Sequence, residues 1–309
     1  MIGTITLNPS IDQNIVVERL IKDDAIRAKD IFRYPGGKGV NVSKVIRELG
    51  GQTHAYALLG GFVGKFWQEL IVKLDIAYSA SMIKGETRIN TIITDKEDGT
   101  QTRISGQGPW IHERDINKFL RKLLAARPKP LCWALGGSLS YRMKDCTYRE
   151  FILALQKNGM PCVLDTDNES LRLGIEAKPF MIKPNEYEIQ RLANRSLGSI
   201  EDYLAAARTL VKKGIKIVVV SLGKKGALFV TSQEAFHVLT PHVAVKSKVG
   251  AGDSLIGGFI LGLSRKMSLK EAARLGVAAS TSAVMREAPR LCLRKDIPRL
   301  LPRIALRPL

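Results

Sequence analysis

The chain has 309 residues, of which 45% are hydrophobic and 25% are charged, and its formal net charge is +19. This composition is typical of a globular protein with one large or two medium domains, and no apolar run reaches the ~20 residues of a membrane-spanning helix. The four cysteines lack metal-ligand spacing, so we expect reduced thiols, no structural metal and a cytoplasmic location.

The positive charge predicts anionic partners, which include nucleic acid, acidic membrane surfaces and small phosphorylated metabolites. The basic residues are spread along the chain, with one denser zone between Arg286 and Arg307, and no run of five or more forms a block. This distribution favours a solvated surface over a nucleic-acid-binding stripe.

The N-terminal segments are predicted to form a strand, a turn and a helix. A buried strand over 2–7 is stopped by Asn-Pro-Ser, which leaves Asp12 just past its C-terminal end, where α/β folds place ligands. A glycine-rich turn over 34–39 then precedes a helix from about residue 40. The turn would let a ligand approach the backbone, with Lys38 and Asn41 pointing at it, and a solvated surface loop is the alternative.

Two alternating segments, 88–94 and 100–104, flank the turn Lys-Glu-Asp-Gly and predict a hairpin. Together with residues 13–19 this hairpin would form a small separate sheet, which is a plausible lid.

From residue 112 onward, predicted helices alternate with predicted strands. This alternation favours an α/β fold with a mainly parallel sheet and helices on both faces. We therefore predict one domain over 1–309, with a lid formed by about 12–34 and 86–106. The predicted elements are helix 112–126, strand 131–135, helix 144–158, strand 162–165, helix 200–213 and strand 217–221, with further strands to 245 and helices to the end.

The stretch Val-Gly-Ala-Gly-Asp-Ser over 249–254 leads into an apolar helix. Gly250 and Gly252 permit a tight turn that leaves backbone amides bare at a helix N-terminus, which is a site for a phosphate group. Asp253 is the only carboxylate of this turn and is placed to accept a proton from an attacking hydroxyl. Helix capping is the alternative role, and neither a Walker A nor a dinucleotide fingerprint is present.

Six motifs in order resemble the ribokinase-like carbohydrate kinases of the phosphofructokinase B type, specifically the branch that acts on sugar phosphates. They are TLNPSID, PGGKGVNVS, GETRIN, KPNEYE, SLGKKGA and VGAGDS. The resemblance implies a ribokinase-like three-layer sandwich with a small β-sheet lid. It also implies Mg-ATP as co-substrate and a homodimer built through the lid strands.

The resemblance implies a role for each matching residue. Asp253 would be the general base, and the amides of Gly250, Ala251 and Gly252 would form an anion hole for the transferring group. The implied substrate-binding residues are Asp12, Gly36, Gly37, Lys38, Asn41, Arg88 and Ser138, with Lys38 and Arg88 holding the phosphate already on the sugar. The implied nucleotide-side residues are Asn185, Ser221, Gly223 and Gly226, with Glu188 and Asn185 organising Mg²⁺ through water.

These expectations predict an ATP-dependent kinase that converts a ketohexose monophosphate into a 1,6-bisphosphate. Fructose 1-phosphate is favoured, and tagatose-6-phosphate kinase and 6-phosphofructokinase activities are alternatives. A kinase for an unphosphorylated sugar or nucleoside is disfavoured by the cations Lys38 and Arg88. A nucleic-acid-binding protein on a kinase scaffold without turnover is the alternative from another class, and its binding would weaken steeply with salt.

Overall fold

The computed structural model describes all 309 residues and contains fourteen strands and ten α-helices. The strands, β1–β14 in chain order, are Ile2–Thr6, Ser10–Val17, Asp30–Gly36, Thr53–Gly60, Ala77–Ile83, Arg88–Asp95, Gln101–Ser105, Trp133–Gly136, Cys162–Asp165, Met181–Ile182, Ile217–Ser221, Ala227–Val230, Ala235–Leu239 and Ala305–Pro308. The helices, α1–α10, are Lys38–Glu48, Gly61–Lys73, Glu113–Leu124, Thr147–Lys157, Asn168–Gly174, Glu186–Ala193, Ile200–Lys212, Ala251–Ser264, Leu269–Val284 and Ile297–Leu300.

A ten-stranded sheet forms the centre of the molecule. Its strand order is β14-β13-β12-β11-β10-β9-β8-β1-β4-β5. The seven strands from β11 to β5 run parallel, and β12, β13 and β14 add to one edge as antiparallel strands. Because parallel strands need helical crossovers, this order places helices on both faces.

Each face of the sheet has its own hydrophobic core. One core contains Phe119, Phe151 and Tyr203 from α3, α4 and α7. The other contains Val45 and Phe259 from α1 and α8, with the small residues of α9 packed against them. The predicted α/β three-layer sandwich with a mainly parallel sheet is therefore confirmed.

A separate four-stranded sheet has the order β3-β2-β6-β7. In this sheet β2 pairs antiparallel with β3 and parallel with β6, and β6 and β7 form the predicted hairpin. Asp12 stands in register with Tyr34 on one side and Asn90 on the other, so these three residues share a face. The strands occupy the two segments predicted for the lid, and the lid role itself stays a prediction.

Two contacts fix the β2–β3 half of the small sheet to the segment that follows α9. Asn14 Nδ2 donates a buried hydrogen bond of 2.7 Å to the carbonyl oxygen of Ala288. The guanidinium of Arg290 lies over the ring of Phe32, with 5.8 Å from its Cζ to the ring centroid. Strand β6 is also joined to the body, because Arg88 Nη2 donates to the Asn8 oxygen at 3.0 Å, whereas β7 contacts mainly β6. The β7 edge is therefore the least anchored part of the small sheet.

The sequence analysis was wrong at four places. Asp12 lies inside β2 and not in a loop after β1, and Gly36 ends β3 where a flexible turn was predicted. Strand β5 was not predicted, and the C-terminal region predicted to be helical ends in strand β14. Strand β14 is the edge strand of the large sheet and pairs only with β13, and its four residues are mostly exposed, so the sequence there carries no burial pattern.

No helix in the structure combines the length and apolar character needed to cross a bilayer. The four cysteines form no disulfide, and no cluster of three His, Cys, Asp or Glu side chains is present that would bind a metal ion.

Candidate active site

Residues from distant parts of the chain meet at the carboxyl edge of the parallel strands. Asn8 follows β1, Asp165 ends β9 and Lys183 follows β10. The N-terminal ends of α1 and α8 bring Asn41 and Asp253 to the same place, where their side chains are hydrogen-bonded. Ligands of open α/β sheets bind at this edge, so the residues here form the candidate site.

Asp253 lies in the first turn of α8 and is 6% exposed. Its Oδ2 accepts a hydrogen bond of 2.8 Å from Asn41 Nδ2, and its Oδ1 accepts none from the chain. Burial is the main cause that raises the pKa of this carboxyl, and Asp165 adds to it, while Lys38, Asn41 and Lys183 oppose it. A carboxylate with one oxygen held and one free, and with a raised pKa, is suited to accept a proton.

The turn before α8 presents free backbone donors. Gly250 has a φ of 75°, and a Cβ at this position would lie 2.2 Å from Leu291 Cδ2, so glycine is required by conformation and by space. The amides of Gly252 and Asp253 have no acceptor in the chain, whereas the Ala251 amide reaches the Lys248 oxygen at 3.4 Å. The free amides lie at the positive end of α8 and are placed to bind an anion.

Two lysines share one carboxylate beside this turn. Lys38 Nζ and Lys183 Nζ lie 3.2 Å and 3.3 Å from Asp165 Oδ1, and Asp165 and Lys183 are both buried. Lys183 Nζ is also 3.1 Å from the place that a Cβ on Gly252 would occupy, so its charge borders the free amides. Burial tends to raise the pKa of Asp165, but Lys183 and Lys38 outweigh it and hold the pKa below its ordinary value.

Lys38 and Arg88, both expected to hold the phosphate of the sugar, have different partners in the structure. Burial tends to lower the pKa of Lys38, but Asp165, followed by Asp253 and Glu188, outweighs it and raises the pKa. The charges acting on Arg88 belong instead to Asp12, Arg103 and Tyr148. The ammonium of Lys38 is paired with Asp165 and is within electrostatic range of Asp253.

Asp12 is held in a polar network on the inner face of the small sheet. Its Oδ1 accepts hydrogen bonds of 2.8 Å from Ser10 Oγ and 2.9 Å from Asn90 Nδ2. A Cβ on Gly36 would lie 2.4 Å from Asp12 Cγ, so the end of strand β3 passes close to the Asp12 side chain. Asn90 Oδ1 is buried without a hydrogen-bond partner, which leaves an acceptor for a ligand hydroxyl next to Asp12.

Gly37 and Asn41 belong to the start of α1. Gly37 caps the helix with a φ of 117°, and its oxygen accepts from the Asn41 amide at 2.9 Å. Both polar groups of the Asn41 side chain are used within the chain, since Nδ2 donates to Asp253 and Oδ1 accepts from Lys44. The structure thus gives Asn41 a contact with the candidate base that its sequence position did not reveal.

Arg88 joins two loops, one at Asn8 and the other at Gly106. Its Nη1 donates to the Gly106 oxygen at 2.8 Å and its Nη2 donates to the Asn8 oxygen at 3.0 Å. Its Nε is buried and has no partner. Asn8 Nδ2 in turn lies 3.4 Å from Ser138 Oγ, and Ser138 is exposed. Arg88 therefore combines a structural role with an unused donor.

Asn185 and Glu188 form a capping box at the start of α6. Asn185 Oδ1 accepts from the amides of Tyr187 and Glu188, and Glu188 Oε2 accepts from the Asn185 amide at 2.8 Å. Glu188 Oε1 is the one carboxylate oxygen of this pair without a partner, and burial raises the pKa of this carboxyl. One free carboxylate oxygen fits a hydrated Mg²⁺ that takes its other ligands from nucleotide phosphates, but it does not fit a cage made by the protein.

Ser221 ends β11 and its amide donates to the Pro184 oxygen at 3.0 Å, which places it beside Asn185. Gly223 and Gly226 bound a one-turn 3₁₀ helix with φ values of 55° and 95°. The four residues predicted for the nucleotide side, Asn185, Ser221, Gly223 and Gly226, are therefore grouped where β11 ends next to α6.

Sequence reasoning missed three residues of this site, namely Asp165, Lys183 and Asn90. Each was part of a recognised motif or of a strand, but none was assigned a role. Asp165 and Lys183 carry a recognisable signal, because a charged residue directly after a buried strand lies at the ligand-binding edge of a parallel sheet. Asn90 carries none, because its neighbour Asp12 is 78 residues away.

Comparison with known proteins agrees with this geometry. The family model described as pfkB family carbohydrate kinase matches residues 2–296. The 1-phosphofructokinase of Bacillus subtilis (strain 168) is 32% identical over 304 residues, which are 98% of this chain and 98% of that protein.

Solved structures give the same result. The crystal structure of phosphofructokinase-2 from Escherichia coli in complex with fructose-6-phosphate superposes with a TM-score of 0.91 at 32% identity, covering 97% of this chain and 98% of that one. A ribokinase from Thermotoga maritima, at 22% identity and covering 98% and 99% of the two chains, shares the fold with a TM-score of 0.76. The chain belongs to the pfkB family of carbohydrate kinases and has the ribokinase-like fold.

Proposed function

We propose that the chain transfers a phosphoryl group from Mg-ATP to the free primary hydroxyl of a ketohexose monophosphate, with Asp253 as the general base. The observation that carries this proposal is the arrangement of Asp253, which has one free oxygen beside unpaired backbone amides and two lysines. The sugar hydroxyl attacks the γ-phosphorus, the bond to the bridging oxygen of ADP breaks, and the hydroxyl proton passes to Asp253 Oδ1.

The surrounding groups stabilise charge during the transfer. Phosphoryl transfer has a loose transition state with charge spread over the equatorial oxygens, so fixed donors and cations provide most of the catalysis. The amides of Gly252 and Asp253 and the ammonium of Lys183 lie together at this point. We assign Lys38 to the same task, because its charge neighbours are Asp165 and Asp253.

Glu188, assisted by Asn185, would hold Mg²⁺ through water at its free oxygen. When bound, the ion neutralises phosphate charge on ATP. The adjacent turn with Ser221, Gly223 and Gly226 would bind the nucleotide.

A phosphorylated sugar is supported by cations on the inner side of the small sheet. Arg88 keeps a buried Nε–H without a partner, and Arg103 is close enough to influence its pKa. Arg103 pairs with Ile92 in the β6–β7 register and forms no salt bridge. Two guanidinium groups that form no salt bridge suit a dianionic phosphate better than a neutral sugar.

Three ketohexose monophosphates fit this description. Fructose 1-phosphate is placed first on the resemblance of the 34–39 turn and on the relative named 1-phosphofructokinase. Fructose 6-phosphate is supported by the neighbour solved in complex with it. Tagatose 6-phosphate is the third candidate. Both fructose phosphates would give fructose 1,6-bisphosphate.

We also propose a homodimer that forms through the outer face of the small sheet. Ile31, Ile89 and Ile104 lie on this face and are 47%, 45% and 59% exposed. Exposed apolar residues clustered on one sheet face mark an interaction surface. A second copy of this chain would cover them.

An ADP-release assay tests the proposed function. The enzyme is given Mg-ATP with fructose 1-phosphate, fructose 6-phosphate, tagatose 6-phosphate or free fructose. We expect the highest kcat/KM with one of the phosphorylated sugars and a much lower value with free fructose. A higher value with free fructose, or no ADP release with any sugar, would contradict the proposal.

A further inference from the structure

We propose that Lys44 is a positioning residue for phosphoryl transfer: it fixes the side-chain amide of Asn41 in the orientation that donates to Asp253, and it links that amide to strand β3. This inference rests on the proposed function, since it concerns the same base. Lys44 does not reach Asp253 itself, and it acts through Asn41.

The contacts form a continuous chain. Lys44 Nζ lies 3.1 Å from Asn41 Oδ1, and Asn41 Nδ2 lies 2.8 Å from Asp253 Oδ2. Asn41 and Lys44 are three residues apart on α1, so both side chains project from the same face of the helix. The backbone of α1 therefore fixes the positions from which the Asn41 and Lys44 side chains make these two hydrogen bonds.

The chemistry of the partners determines which way the amide points. A lysine ammonium only donates hydrogen bonds, and an ionised carboxylate only accepts them. If the Asn41 amide were reversed, its oxygen would face the carboxylate of Asp253 and its NH₂ would face the ammonium of Lys44, and both contacts would be repulsive. Lys44 thus prevents the reversal and keeps a donor on Asp253.

Two further contacts of Lys44 connect the Lys44–Asn41–Asp253 chain of hydrogen bonds to the small sheet. Lys44 Nζ also lies 3.4 Å from the Pro35 oxygen and 5.7 Å from the centroid of the Tyr34 ring. Both residues belong to the end of β3, next to Gly36, which packs against Asp12. The ammonium of Lys44 therefore contacts two groups: strand β3, which borders the sugar-facing residues, and the side-chain amide of Asn41, which holds Asp253.

Lys44 is also within electrostatic range of Asp12 and Asp253 and forms a salt bridge with neither. Burial lowers its pKa to about 8, and Asp12 on β2 and Asp253 on α8 oppose that shift. The other polar group that faces it is Tyr34 on β3. A cation here favours the ionised form of Asp253, so its loss would make the base easier to protonate.

The first test uses steady-state kinetics of Lys44→Met and Lys44→Arg over a range of pH. Lys44→Met keeps the length of the side chain and removes its charge and donors. We expect kcat to fall about 10- to 100-fold, the cost of a misplaced reacting group, with a smaller change in KM for the sugar. The acid limb of kcat/KM should move to higher pH. Lys44→Arg should restore most of kcat and return the acid limb close to its wild-type position.

The alkaline side of the profile gives a second readout. Wild-type kcat should decline above about pH 8 as Lys44 loses its proton, whereas Lys44→Arg should not decline there because a guanidinium stays charged. Lys65→Met is the matched control, because Lys65 lies over the exposed ring of Phe62, outside the site. It should match the wild type at every pH.

A measurement without turnover separates this inference from the proposed function. The Asp253 carboxyl is titrated by NMR after ¹³C labelling of aspartate, with its signal assigned from Asp253→Asn. A pKa of Asp253 that rises in Lys44→Met and returns in Lys44→Arg supports the relay, even if no sugar phosphate is turned over. An Asp253 titration that is the same in wild type and in Lys44→Met overturns it, even if the kinase activity is present. If Lys44→Met does not fold, the alkaline profile of Lys44→Arg decides: an unchanged decline above pH 8 overturns the inference.

Discussion

Replacing Asp253 with asparagine should remove activity while it stabilises the fold. Asparagine has the same shape, and its oxygen can still accept from Asn41 Nδ2, which lies 2.8 Å from Asp253 Oδ2. What is lost is the proton acceptor at Oδ1. General-base catalysis contributes about 10²- to 10⁴-fold, which corresponds to about 2.7 to 5.5 kcal/mol of transition-state stabilisation. We expect kcat to fall by that factor, with a smaller change in KM.

The effect on stability follows from the pKa of the same group. Burial, followed by Asp165, raises the pKa of Asp253 above its unfolded value, so the native state binds this proton more tightly than the unfolded state does. The ionised carboxylate consequently destabilises the fold at neutral pH, and this penalty disappears as pH falls below about 4, the ordinary pKa of aspartate. Asp253→Asn should have a higher Tm than wild type at pH 7, and the difference should narrow in acid.

Thermal unfolding monitored by circular dichroism, together with the ADP-release assay, checks both parts. Asp202→Asn is a control in which the change in Tm should have the opposite sign, because the pKa of Asp202 is lowered. The backbone amides of Ser199 and Gly198, with Arg195, lower that pKa to about 2. That variant should unfold at a lower temperature at pH 7 and keep full activity. If Asp253→Asn retained wild-type turnover, Asp253 would not be the base. If its Tm fell at pH 7, the burial argument would be wrong.

Three further predictions concern the cations and the sheet face. Lys38→Met should lower kcat more than it raises KM for the sugar phosphate. It should also shift the acid limb of the pH profile to higher pH, because a cation that favours ionised Asp253 is removed. An effect on KM alone would mean that Lys38 binds the phosphate already on the sugar. Arg88→Met should raise KM for the phosphorylated sugar more than for free fructose, measured in the same assay, and equal effects would argue against a phosphate contact. Ile104→Glu should shift the protein to monomer in sedimentation velocity, whereas an unchanged mass would exclude this face as the interface.

Much of this fold was predictable from local sequence patterns. Buried strands such as Cys162–Asp165 and Ile217–Ser221 are short apolar runs, and amphipathic helices such as Ile200–Lys212 separate them. The turn at Gly250 is indicated by the glycine-rich stretch Gly-Ala-Gly-Asp directly before an apolar run. Patterns of this kind depend on neighbours along the chain, which is why they can be detected without coordinates.

The charge arrangement at the centre of the site was not predictable in the same way. Lys38 and Asp165 are 127 residues apart in sequence, and nothing local indicates that they meet. Lys44 shows the same difficulty, because a lysine on a helix resembles a solvated residue until β3 is seen to cover it. The resemblance implied a phosphate-holding role for Lys38 and Arg88, but it gave no sign that Lys38 shares Asp165 with Lys183.

The anchoring of the small sheet limits how the enzyme can open. Asn14 is bonded to Ala288, and Leu291 of the same segment packs on Gly250, so strand β2 and the turn before α8 contact one common segment. Strand β6 is paired with β2 over its whole length and is tied to the body through Arg88 and Asn8, which leaves β7 as the least supported strand of the small sheet. Under the proposed function, a movement that admits the sugar would be confined to the β7 edge, and the base would keep its spacing from the residues of β2 and β6.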